Sequence, residues 1–158
     1  VVFKSIFSKN ESNVQEEISQ FSYPMNVFSE DGQRRTKLFS NICNNSSWQL
    51  LPGRFGGEYN NDMLAYQVKD DNITLYLGLK LIKADKGIQL DQLSMGNFNQ
   101  FSYRWLKTVA YSTSLDEKTI GFSNKLTEVI NTDKLNLIVV YLDLSSQQMN
   151  LLPIEMLE

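Results

Sequence analysis

The chain has 158 residues, 42% of them hydrophobic and 21% charged, with eight glycines and three prolines, which excludes a disordered, collagenous or low-complexity polypeptide and suits one folded domain over 1–158. Fifteen Lys and Arg against eighteen Asp and Glu leave a net charge of −3, so the overall field repels nucleic acid and anionic membranes, and any phosphate-binding surface has to be local. Histidine is absent, which removes Ser-His-Asp and Cys-His catalysis, zinc helices of the His-Glu-x-x-His type and imidazole proton transfer.

Residues 1–7 are too short for the apolar region of a signal peptide, and a cytoplasmic location is expected. Ser12 and Gln15 form a Ser-x-x-Gln capping box, and Val14, Ile18 and Phe21 follow at helical spacing, predicting a short helix over about 11–22. Tyr23-Pro24 and Glu30-Asp31-Gly32 punctuate the next stretch. Leu38, Phe39, Ile42 and Cys43 predict a second helix that stops at Asn44-Asn45-Ser46-Ser47. Within it Cys43, the one cysteine, reads as a core residue rather than a nucleophile or metal ligand. The basic run Arg34-Arg35-Thr36-Lys37 reads as a solvated face.

Residues 48–51 suit a strand. Gly53, Gly56 and Gly57 then make a turn, since they match neither dinucleotide nor P-loop spacing and precede a strand where a phosphate loop precedes a helix. In 63–69, Leu64, Tyr66 and Val68 alternate with polar or small neighbours, and after Asp70-Asp71-Asn72 the residues Ile73, Leu75, Leu77, Leu79 and Leu81 alternate strictly. This predicts a hairpin of strands 63–69 and 73–82, with the five aliphatics on one face. Phe98, Phe101, Trp105 and Val109 predict a helix, and the helical spacing favours core packing over a nucleic-acid stacking platform for the aromatics that interleave with Arg104 and Lys107. Ser114 to Glu117 reads as a second capping box, with Asp116 and Glu117 at the positive end of a helix that continues through Phe122, Leu126 and Ile130, although Ile120, Phe122 and Asn124 also allow a strand. The stretch 135–144 is apolar on both parities, as in a strand buried on both faces. The tail 149–157, with aliphatic residues around Pro153, is expected to dock on the domain or on a partner. No stretch approaches the ~20 apolar residues that span a bilayer. The fold expected is α+β: a small mixed sheet with a central hairpin and a buried strand, packed by helices.

Helix, strand, hairpin, helix, strand, with Asp62 opening the second strand and Lys80 on the third, resembles the core of the PD-(D/E)XK nuclease superfamily over residues 38–144. The resemblance implies that an Asp and an acid-x-Lys pair converge on Mg²⁺, while the lysine orients or activates water. Asp62 matches the first acid and Lys80 the lysine, but Gly78 holds the place of the middle acid in Gly78-Leu79-Lys80. A further carboxylate, Glu58 or Asp85, would have to complete the site. This alternative makes Asp62, Lys80 and Glu58 catalytic, with Asp62 a ligand of Mg²⁺.

Without imidazole or a complete acid cluster, the sequence points away from an enzyme and toward a module with no cofactor or metal that binds another protein, such as a secretion chaperone, an immunity-type partner or an assembly subunit. Nucleic acid is the less favoured partner. The expected binding surface is an apolar patch with a polar rim, made by Tyr66 or Tyr76 of the hairpin and by Leu151, Leu152 and Ile154 of the tail.

Overall fold

Two periodicities, 2 in the strands and 3.6 in the helices, divide the apolar side chains between two cores on opposite faces of one sheet. The structure, a computed structural model, describes residues 32–56, 62–82, 98–143 and 148–156. The helix expected over 11–22, Gly57, Glu58 and Asp85 lie outside the described residues. In chain order the elements are α1 (Gly32–Ser46), β1 (Gln49–Leu50), β2 (Met63–Lys69), β3 (Asn72–Ile82), α2 (Tyr103–Ser114), α3 (Ile120–Val129), β4 (Leu135–Asp143) and β5 (Gln148–Ile154). The strands lie in the order β1-β2-β3-β4-β5, with β3 and β4 parallel and every other neighbouring pair antiparallel. This is the mixed α+β arrangement that the sequence predicts, hairpin and buried strand included.

Leu64 of β2, Ile73, Leu75 and Leu77 of β3, and Leu137 and Val139 of β4 meet Trp105, Leu106 and Val109 of α2 and Phe122 and Leu126 of α3. The other parity, Ala65, Tyr76, Ile138 and Val140, meets Phe39, Ile42 and Cys43 of α1 together with Trp48. Both faces of the sheet are therefore covered, and truncating one fully buried aliphatic such as Leu75, Leu77 or Ile138 costs about 2–5 kcal/mol.

Two local expectations change, while the docking of the tail and the end of α1 follow the sequence. Phe98 and Phe101 precede α2 rather than lying on it: Phe101 has a positive φ of 63°, and Ser102 caps the helix by accepting a hydrogen bond from Trp105 N at 3.2 Å. Ser114 ends α2, its hydroxyl donating back to Tyr111 O, and α3 starts after Thr119. The Asp116 carboxylate accepts from Lys118 N in the intervening turn, so Asp116 and Glu117 do not lie on the first turn of a helix. The tail is β5, an edge strand whose Pro153 sits where a missing N–H is tolerated; Met149 and Leu151 enter the α1-side core and Ile154 the opposite one. As expected, α1 stops within 44–47, in a Schellman turn without glycine. Ser47 takes the left-handed conformation at φ 60°, and Trp48 N donates to Cys43 O at 2.9 Å.

Candidate functional site

Asp62 stands immediately before β2. Its backbone N–H donates to Gly56 O at 2.9 Å and its carbonyl accepts from Phe55 N at 3.3 Å, which ties the entry of β2 to Phe55 and Gly56. Gly56 has a φ of +105°, a conformation that glycine adopts without the Cβ penalty. The Asp62 carboxylate is 7% exposed and accepts a hydrogen bond from Gln100 Nε2 at 2.7 Å. Gln100 is wholly buried, and the same nitrogen donates to Phe55 O at 3.0 Å. Trp105 Nε1 donates to that carbonyl too, at 3.3 Å, while Phe101 and Phe55 pack edge-on against the indole. The carboxylate thus helps to hold the segment around Phe55, the entry to β2 and the start of α2 together. Hydrogen bonding is what makes burying it affordable.

Gly78, the position that the nuclease pattern needs for its middle acid, lies on the other face of the sheet. An added Cβ there would overlap three atoms of the Phe39 ring from α1, whereas Asp62 points to the α2 side. The two positions do not converge. Beyond Gly78 the register with β4 is irregular: Gly78 pairs with Val140 and Lys80 with Tyr141, skipping Leu79. Strict alternation is lost there, and the Lys80 side chain lies outside the described part of the molecule. A hard divalent cation takes six or more oxygen ligands, several of them protein carboxylates or carbonyls when waters do not fill the shell. The described residues contain no group of three or more His, Cys, Asp or Glu side chains placed to hold a metal ion. Asp62 with Gly78 does not fit the Mg²⁺ site that the resemblance implies.

Of the residues expected to form a binding patch, Tyr76, Leu151 and Ile154 enter the cores, while Tyr66 and Leu152 keep part of their surface exposed. Tyr76 is buried and stacks on Trp48 with ring centroids 3.6 Å apart and planes 10° off parallel. Leu151 and Ile154 are buried, Leu152 is half-buried against the α2-side core, and Tyr66 is half-buried against Phe122 at 4.4 Å between centroids. The most exposed apolar side chains among the described residues are Tyr111 on α2, at 68%, and Leu115 just after it, at 72%; Tyr103 on α2, Ile120 at the start of α3, and Leu50, Val68 and Met156 elsewhere are exposed to a lesser degree. Tyr103, Lys107, Tyr111 and Leu115 recur every four residues, a spacing visible in the sequence but overshadowed by the aromatics at 98, 101 and 105. Arg104 stands over the Phe98 ring at 5.7 Å, and Lys107 over the Tyr103 ring at 5.9 Å.

No helix among the described residues is long and apolar enough to cross a membrane. The chain matches no family model, no curated protein and no solved structure.

Proposed function

We propose that this is a non-catalytic protein-binding domain, a chaperone, immunity-type or assembly-subunit module of the cytoplasm. The observation that carries this reading is the separation of Asp62 and Gly78 onto opposite faces of the sheet, with the space an acid at 78 would need filled by Phe39. A phosphodiesterase of the kind the sequence resembles needs carboxylates on one cation, and here the strand-opening carboxylate is engaged by Gln100. Fold alone confers no activity.

The test has two parts. Purified protein incubated with single- and double-stranded DNA and RNA in Mg²⁺ or Mn²⁺ is expected to cleave nothing beyond the buffer control, with Asp62→Asn indistinguishable from the parent. Cleavage that Asp62→Asn abolishes would establish the nuclease alternative instead. Cross-linking in the source cell, followed by reconstitution from two purified proteins, is expected to yield a stoichiometric complex; failure to isolate any such complex removes the binding reading.

A further inference from the structure

We infer that the outer face of α2 is the docking surface of this module and that its occupant is an acidic, amphipathic segment of a partner protein; the inference rests on the binding-domain reading. Helical spacing divides α2 between two environments. Trp105, Leu106, Val109, Ala110 and Thr113 face the core, leaving Tyr103, Lys107 and Tyr111 in line on the outside, with Arg104 beside them and Leu115 at the end. Tyrosine and arginine are the residues enriched where binding energy concentrates. From 98 to 115 the chain carries two cations and no Asp or Glu, a local reversal of sign within an acidic protein.

Charge and ring geometry together select the occupant. A single-stranded nucleic acid would stack successive bases on open aromatic faces, yet Arg104 lies over Phe98 and Lys107 over Tyr103, which leaves Tyr111, at 68% exposure, as one open ring rather than a row of them. Both cations remain exposed and can pair with carboxylates. The exposed Leu115 prolongs the stripe in a way that suits apolar side chains and gives nothing to a phosphate backbone. Asp116 and Glu117 bound it at the far end, which sets a direction: the partner's acids over the first two turns of α2, its apolar anchors over Tyr111 and Leu115.

Panning a random dodecapeptide library displayed on phage against the whole chain tests this. Enriched peptides are expected to combine Asp or Glu with apolar residues at helical spacing. As synthetic peptides, they should bind about tenfold or more weakly to the charge-reversed pair Arg104→Glu/Lys107→Glu and to Tyr111→Ala. Val68→Ser, an exposed change on β2, should leave binding intact, and added salt should weaken it. All four changes are at exposed positions, and near-ultraviolet circular dichroism checks that each variant is folded. Enriched peptides without acids, or binding indifferent to the α2 variants, overturn this assignment while leaving a binding module with another surface. Direct binding of labelled oligo(dT) to the parent, lost in Arg104→Glu/Lys107→Glu, together with displacement of the peptides from the parent, overturns it in favour of nucleic acid. Absence of enrichment overturns it also, and the binding-domain reading is then decided separately by the reconstituted complex.

Discussion

Gly78 and Phe39 occupy one another's space, so even the smallest side chain at 78 must displace an aromatic ring packed at 0% exposure. Gly78→Ala is expected to lower the unfolding free energy by about 1–3 kcal/mol, the usual cost of overpacking. Combined with Phe39→Leu, it should cost less than the two changes summed, because the sites share one volume; urea denaturation of the four proteins measures both. Cys43 lies in the same core, where burial pushes its thiol from 9.0 up to about 12 and a hydrogen bond with its own backbone pulls the other way. Between those values the folded chain keeps a proton that the unfolded chain has released, so folding weakens as pH rises. The Cys43 contribution is complete below pH 9 and is lost toward pH 12. The stability difference between the parent and Cys43→Ala should shrink across that window, and Ellman's reagent should label the thiol only after urea is added. The residue scale also shows where sequence reading stops. Asp62 was legible as an acid opening a strand, but its partner Gln100 stands 38 positions away, joined to it by the fold and by no spacing.

Elements differ in how plainly they announce themselves. The hairpin β2–β3 was legible because apolar residues alternate and Asp70-Asp71 is a turn pair, and β4 because it is apolar on both parities. β5 was not, since Pro153 and the adjacent leucines look the same in a loose tail as in an edge strand. The helices shifted where capping chemistry is shared: Ser114 can open a helix or close one, and here the Thr119 hydroxyl, donating to Thr113 O at 2.7 Å, helps to close α2. The hairpin turn itself has both central residues left-handed, Asp70 at φ 51° and Asp71 at φ 66°, the backbone that favours Asn-Gly. Asp70→Asn with Asp71→Gly is expected to raise the unfolding free energy by about 0.5–1 kcal/mol. The exposed pair between Asp71 and Lys125 that this removes is worth less. A higher urea midpoint at unchanged slope would show it.

At the scale of the whole molecule, β5 closes both cores at one edge. Met149 and Leu151 cap the α1 side and Ile154 the α2 side. Leu151→Lys should therefore cost about 3 kcal/mol or more, by burying an unpaired cation, whereas Met156→Lys, at an exposed position just beyond the strand, should be nearly neutral; urea midpoints compare the two. Removing 148–158 should abolish cooperative unfolding and the near-ultraviolet spectrum together. The parallel pairing of β3 with β4 joins residues such as Ile73 and Leu135, roughly sixty positions apart, and such non-local contacts form slowly. During synthesis the hairpin leaves the ribosome well before β4 exists. Its aliphatic side chains must wait for translation to deliver their cover, which makes the nascent chain at that stage a natural client for a holding chaperone.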